Sequence, residues 1–286
     1  MHPILYEIPL LRFPISSFGV MVAAGFLLAS WVLGKLAERH GDDPERDPAR
    51  YSRITVWVLV GVILGARLMY VIVEIARGSE TGRLFREKPL EILAVWNGGL
   101  VMYGGFAGAI AGGLWSARRE RVRLMHVFDL GMIAGFLGQA VGRVGCLLVG
   151  DDHGRLVPER FADLPFPITL RVPEVLPEKS LFEPHLAGQV VWATQPWMSA
   201  KALIVAGVGW WMFRRRRYAG QVALWMILVY AALRYVVEIF RGDTIRGVWF
   251  DGALSTSQLV SIVAGAIALV LLVKNRKRRD PGPGRA

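Results

Sequence analysis

The chain has 286 residues, 53% of them hydrophobic and only 20% charged, a balance too apolar for a soluble single domain of this length. Its 34 Lys and Arg against 23 Asp and Glu give a formal charge of +11, but the basic residues flank apolar runs, which argues for a lipid bilayer and against nucleic acid as the partner. One cysteine, Cys146, excludes a disulfide framework and a cysteine zinc cluster, and five scattered histidines make no metal site, so neither disulfides nor a structural metal is expected to hold the fold.

Residues Met1 to Phe13 lack the basic start, long apolar stretch and small-residue cleavage site of a signal peptide, so this segment is read as retained. A hydrocarbon core of about 30 Å needs roughly 20 helical residues. Seven stretches approach that length: 15–36, 54–76, 92–115, 126–149, 198–213, 221–240 and 255–273, the fifth being short and preceded by Pro196. Basic residues crowd alternate connections: Lys35, Arg39, Arg46, Arg50 and Arg53; Arg118, Arg119, Arg121 and Arg123; Arg214 to Arg217; and Lys274 to Arg279. The positive-inside bias then puts the N-terminus outside and the C-terminus in the cytoplasm. The connection 151–195 falls outside, and six prolines there (158, 165, 167, 173, 177 and 184) exclude a membrane helix. Within it, the alternation of Phe166, Ile168, Leu170 and Val172 predicts a short strand, and Leu181 to Trp192 is apolar enough to lie at the membrane interface. The expectation is an all-α integral membrane protein of seven transmembrane helices, with a long Pro-rich outer loop between the fourth and fifth. It forms a single polytopic domain over 1–279, with a disordered tail at 280–286.

Several charges fall inside these stretches, where each arginine near the bilayer centre costs about 2.5–3.5 kcal/mol on insertion scales. Arg67 shares a helical face with Tyr70 and Glu74, Arg143 precedes Gly145 and Cys146, and Tyr230, Arg234, Glu238 and Arg241 form one stripe. The predicted orientation places them in the middle or outer half of the membrane, level with Phe18, Gly19, Ser257 and Gln258, with Asp151 and Asp152 at the outer mouth and Tyr103 somewhat deeper. Converging on one cavity, the arginine forks would suit the phosphate of an anionic headgroup drawn from the outer leaflet. The competing reading makes Arg67–Glu74 and Arg234–Glu238 structural pairs that staple helices. Gly104, Gly108 and Gly112 have the spacing of close helix contact, while the pairs Gly98-Gly99 and Gly104-Gly105 around Tyr103 equally admit a broken helix with free N–H groups. A transporter for an anionic solute would need polar groups in the inner half as well, where the chain offers chiefly His126 and Asp129.

These residues resemble the prolipoprotein diacylglyceryl transferases, over most of the chain outside the long outer loop. The resemblance rests on Gly65-Ala66-Arg67 with Tyr70; Trp96-Asn97-Gly98-Gly99-Leu100 leading to Tyr103-Gly104-Gly105; Gly142-Arg143-Val144-Gly145 with Gly154; Tyr230, Arg234, Glu238 and Arg241; and Ser257-Gln258-Leu259. The family signature G-R-x-G-N-x-x-N-x-E-x-x-G has Cys146 and Val149 at its asparagines here and Asp151 at its glutamate. Tyr103 stands where many members have histidine, Phe18 where many have tyrosine, and Gln195-Pro196-Trp197 replaces an H-P-x-Q-x-Y-E stretch.

The resemblance implies transfer of the diacylglyceryl group of phosphatidylglycerol to the lipobox cysteine in the signal peptide of a bacterial prolipoprotein, at the cytoplasmic (inner) membrane, by a monomer without metal or cofactor. It assigns catalysis to Tyr103, Arg143, Asp151 and Arg234. Phosphatidylglycerol would be bound by Phe18, Arg67, Gly98, Gly99, Gly104, Arg143, Gly154, Tyr230, Arg234, Glu238 and Arg241. The proton acceptor for the thiol stays open among Asp151, Tyr103 and the loop histidine His153, because an isolated carboxylate is a weak base and an isolated phenol keeps its proton at neutral pH. A diverged paralogue with the same donor and another acceptor is the alternative enzyme reading.

Overall fold

The structure is a computed structural model that describes residues 1–8, 13–95, 98–242, 247–249 and 254–279; the tail at 280–286 and Trp96-Asn97 of the glycine motif lie outside the described residues. Eight α-helices are present among them: α1 (Ser17–His40), α2 (Asp47–Arg77), α3 (Glu80–Glu87), α4 (Met102–Arg119), α5 (Leu124–Val149), α6 (Thr194–Phe213), α7 (Gln221–Ile239) and α8 (Thr256–Lys274). Of these, α1, α2, α5, α7 and α8 are long and apolar enough to cross a membrane. The protein is therefore an all-α membrane protein, with α4 and α6 falling on two further stretches expected from the sequence. The helix expected from residue 92 starts only at Met102: Pro89–Leu93 form a 3₁₀ turn, and Gly98 and Gly99 take φ values of 81° and 73°, a left-handed backbone that no α-helix continues through.

The chain divides into two compact units, Met1–Val32 with Phe128–Ala286, and Leu33–Val127. In the second unit α2 and α4 meet backbone to backbone at Gly61, Gly65, Gly104 and Gly108. A Cβ on Gly108 would fall on the carbonyl oxygen of Gly61, and one on Gly104 would fall on that of Gly65. The small-residue spacing is thus realised as backbone contact, the form that close helix pairs take in membranes. At one end of the pair Trp57 and Trp115 meet edge to face with centroids 4.6 Å apart, and Arg53 grips Glu120 through Nε and Nη2 at 2.7 and 2.6 Å. His126 is buried and its Nε2 lies 2.7 Å from the carbonyl oxygen of His40.

In the first unit a hairpin of β1 (Ile4–Ile8) and β2 (Phe13–Ser16) leads into α1, whose Gly25 reaches the backbone of Gly138 on α5. Buried Met198, Ala202 and Val205 of α6 and Val222 and Met226 of α7 form the apolar interior around them. Asp129 of α5, fully buried, accepts from the N–H groups of Gly220 and Ala223 at 2.9 Å each and from Arg216 at 3.1 Å. It thereby supplies from another helix the negative charge that the start of α7 lacks. The strand expected near 166–172 forms as β3 (Thr169–Arg171), paired antiparallel with β4 (Val190–Trp192). Phe182, Leu186 and Val191 of the apolar stretch 181–192 are buried together with Val172 in a small core of their own. A hairpin of β5 (Val248–Trp249) and β6 (Leu254–Ser255) delivers Ser255 to cap α8 reciprocally with Gln258.

The glycine contact yields a direct test. Gly108→Ala should destabilise the protein by about 1–3 kcal/mol, since the methyl group must displace backbone. Gly135→Ala, where a Cβ meets nothing within 4 Å, should change stability by less than about 1 kcal/mol. Thermal unfolding midpoints of the two variants in detergent decide between these outcomes, and equal midpoints would refute the contact.

Candidate active site

The site in the first unit is built from the end of α5. Helix α5 stops at Gly150, whose φ of 83° is left-handed; its N–H and that of Asp151 both return to the carbonyl of Cys146 at 2.9 and 3.0 Å, a glycine-terminated cap. Asp152 follows with a φ of 53°, a conformation that aspartate tolerates better than most residues. The result is that Asp152 turns back onto the helix. Its Oδ2 accepts from Arg143 Nη1 and its Oδ1 from Arg241 Nη2, the latter at 2.5 Å. Two backbone carbonyls are tied down at the start of α6: Thr194 Oγ1 donates to that of Asp152 at 2.7 Å and Gln195 Nε2 to that of Asp151 at 3.1 Å. Neither Thr194 nor Gln195 stood out as a positioning residue in the sequence.

From Arg241 the charges continue to alternate. Arg241 Nη1 lies 3.7 Å from Glu238 Oε2, the same oxygen lies 2.8 Å from Arg234 Nη2, and that nitrogen donates to Ser257 Oγ of α8 at 3.0 Å. Arg234 and Glu238 are thus paired, as the structural reading expected, yet the guanidinium is not exhausted: Arg234 Nη1 is buried and has no hydrogen-bond partner among the described residues. Burial pushes the Asp152 carboxyl up, but Arg143 and then Arg241 outweigh it and hold that group below the usual carboxylate range.

The remaining predicted residues take varied places. Tyr230 lies under the ammonium of Lys201, 4.1 Å from the ring centroid, and against Phe136. Gly154 pairs with Arg241 as an isolated bridge and is too close to Trp192 for any side chain. Phe18 and Asp151 line one cleft of about 230 Å³ with Lys179 and Leu181. His153, read as an exposed loop residue, is buried and stacked near Phe182, with ring centroids 5.2 Å apart. The Cys146 thiol and the carboxylates of Asp151 and Asp152 lie within 4.8 Å of one another, but two guanidiniums already compensate Asp152, so this donor set is a poor host for a cation.

The second unit holds the other predicted residues. Arg67 gives its N–H groups to backbone carbonyls: Nε to Ile92 at 2.8 Å, Nη1 to Gly98 and Gly99 at 2.7 and 3.3 Å, and Nη2 to Glu91 at 2.8 Å. It also lies over the rings of Tyr70 and Phe85. Glu74, its suggested partner, is engaged by Ser79 instead. Gly104 sits in the contact with α2 rather than lining open space, and Tyr103 on the first turn of α4 is 55% exposed. The two glycine pairs therefore do different work: Gly98-Gly99 shape the loop held by Arg67, and Gly104-Gly105 are buried in helix packing.

Residues 3–274 match the family model described as prolipoprotein diacylglyceryl transferase. The chain belongs to this family. Among its curated relatives, the phosphatidylglycerol–prolipoprotein diacylglyceryl transferase of Geobacter sulfurreducens is 29% identical over 268 residues, covering 93% of this chain and 92% of the relative. Those of Synechococcus elongatus and Vibrio cholerae are 29% and 27% identical over 265 and 278 residues, covering 90% and 96% of this chain and 82% and 92% of the relatives.

Set against the signature of the diacylglyceryl transferase family, the substitutions gain a physical setting. Cys146, at an asparagine position, points its Sγ to within 3.7 Å of Arg143 Nη1, so a weak acceptor stands where an amide would be. Val149, at the other, is buried and lines the cleft with Phe18. Asp151 keeps a carboxylate at the glutamate position, on that same cleft.

Asp152→Asn should be costly, because it leaves Arg143 and Arg241 facing each other: about 3 kcal/mol of stability should be lost, as when one partner of a buried pair is removed. Asp151→Asn should cost much less. The Asp152 carboxyl is depressed in the folded state, so its contribution is complete above the ordinary carboxylate range and is lost as pH falls through the native value. Wild type should accordingly keep this stabilisation down to about pH 4. Chemical unfolding of both variants between neutral and acid pH measures this, and an Asp152→Asn protein as stable as wild type would remove the bridge from the account.

Proposed function

We propose that this protein transfers the diacylglyceryl group of phosphatidylglycerol to the thiol of a prolipoprotein lipobox cysteine, releasing glycerol phosphate. The observation that carries the reading is the arginine series Arg143, Arg241 and Arg234, held by two carboxylates, with Arg234 Nη1 left buried and unpartnered among the described residues. Such a series suits a phosphate, and the names of the relatives supply the donor and the acceptor.

The chemistry is alkyl transfer. A thiolate attacks a glycerol carbon, the carbon–oxygen bond breaks, and its electron pair stays on the phosphate oxygen of the departing glycerol phosphate. The thiol proton has to be taken up first, and the charge growing on phosphate has to be stabilised. Arg143 and Arg234 serve the second need, since charge-assisted contacts that strengthen toward the transition state lower the barrier. Asp151 on its cleft and Tyr103 on the exposed first turn of α4 are the groups offered for the first. Arg67 acts through the Gly98-Gly99 loop, because its donors are engaged on carbonyls.

The proposed setting is the bacterial cytoplasmic membrane, spanned seven times with the N-terminus outside. The basic connections then lie inside, and the 151–195 loop and the end of α5 lie on the outer side. A transporter is disfavoured: the chief polar groups of the inner half are already engaged, Asp129 in capping α7 and His126 with the His40 carbonyl.

Purified wild type incubated with labelled phosphatidylglycerol and a lipobox peptide should label the peptide, and Arg143→Ala and Arg234→Ala should each reduce transfer by about 100-fold or more while still inserting in the membrane. Full activity in either variant would make that arginine structural, and no transfer by wild type would overturn the reading. For topology, a Ser180→Cys protein in a Cys146→Ser background should react with an impermeant thiol reagent added from outside, and an Ala117→Cys protein should not; the reverse pattern would move the site to the cytoplasmic face.

A further inference from the structure

Lys201 is the one charged residue in the otherwise apolar body of α6, and it is 4% exposed. Its ammonium lies over the Tyr230 ring and forms no ion pair among the described residues. Arg234, Arg143 and Arg241 repel it, and Asp152 attracts it. The cluster therefore contains four basic side chains, Lys201 and the three arginines, against three carboxylates, Glu238, Asp152 and Asp151, the last two within 4.8 Å of each other. One positive charge is left over in a buried place, a situation that costs free energy until an anion arrives.

A second observation points the same way. Arg234 is 9% exposed and its Nη1 has no hydrogen-bond partner among the described residues, and Arg234 stands one helical turn along α7 from the tyrosine beneath Lys201. Two cationic donors on adjacent helices are thus available beside one ring.

We propose that Lys201 is a direct ligand of the donor lipid's phosphate, acting with Arg234 Nη1. The proposal rests on the transfer reading and deepens it. The phosphodiester carries about −1, and the glycerol phosphate released when the carbon–oxygen bond breaks carries −1.5 to roughly −2 at neutral pH. A surplus cation attracts the more highly charged product, and the transition state that leads to it, more strongly than the substrate, which is the condition under which a contact accelerates the reaction instead of only tightening binding. Tyr230 presents its face to the ammonium and so fixes its place without neutralising it.

The test uses the purified full-length enzyme with Lys201→Met and Lys201→Arg. Lys201→Met should lower kcat by about 100-fold with little change in KM, and Lys201→Arg should recover part of the loss. Glycerol phosphate, titrated calorimetrically, should bind Lys201→Met at least about tenfold more weakly than wild type, and the unliganded Lys201→Met protein should unfold at or above the wild-type midpoint because a surplus charge has gone. Wild-type kcat and glycerol phosphate affinity in Lys201→Met would overturn the proposal. So would a lowered unliganded midpoint that Lys201→Arg restores without restoring affinity, since Lys201 would then be a staple on Tyr230. If wild type binds glycerol phosphate in a Lys201-dependent way but transfers nothing to a lipobox peptide, the phosphate ligand stands and the transfer reading falls; if it does neither, both fall.

Discussion

Guanidinium groups can share a buried space only if something negative stands between neighbours, and the order Arg143, Asp152, Arg241, Glu238, Arg234 meets that requirement. Much of the first unit's local geometry follows from keeping this order. Helix α5 has to end at Gly150 so that the chain can swing Asp152 under Arg143. The segment after α7 has to run beside Gly154 so that Arg241 reaches the other oxygen of the same carboxylate. The first residues of α6 then fix the carbonyls of the turn itself. Each tether is an ordinary hydrogen bond, but together they turn a flexible acidic dipeptide into a wedge with one allowed orientation.

The apolar runs and their basic flanks were legible in the sequence because burial in lipid imposes a length and a composition that nothing else in the chain imitates. The Gly104-Gly108-Gly112 spacing was legible for the same reason: helical periodicity converts a sequence interval into a face. What the sequence hid depends on single backbone angles. Asp151 and Asp152 are chemically alike, and it takes the left-handed turn at Gly150 to bring Asp152 onto Arg143 and Arg241. The late start of α4 likewise depends on Gly98 and Gly99 adopting positive φ, where an apolar count sees only small residues compatible with a span. Lys201 was missed for another reason. It stands alone in its stretch, without the stripe of companions that drew attention to Arg234, although the cost of an isolated membrane charge marked it just as strongly.

The two units use arginine in opposite ways. Arg67 saturates itself on the carbonyls of a loop and behaves as a template for backbone, so its positive charge is dispersed over peptide dipoles. Arg143 and Arg241 share one carboxylate, and Arg234 keeps part of its fork in reserve. Charge count alone makes these residues equivalent; donor accounting separates a residue that shapes the chain from residues able to receive a ligand. The same accounting bears on the family signature, where Cys146 in place of an asparagine leaves Arg143 a softer neighbour and a greater dependence on Asp152.

The bare contact between α2 and α4 has an evolutionary consequence. Where two helices touch through side chains, a larger residue on one can be answered by a smaller residue on the other, so the sequence can wander along a ridge of compensated pairs. Gly61, Gly65, Gly104 and Gly108 meet carbonyl against Cα, and no partner has anything left to shed. Drift at this seam is therefore irreversible in one direction: any gain of volume must be met by separating the helices, which would also strain the Arg53–Glu120 clasp at their end. In a lineage free to exchange amides for Cys146 and Val149, this seam is a place where the chain has nowhere to go.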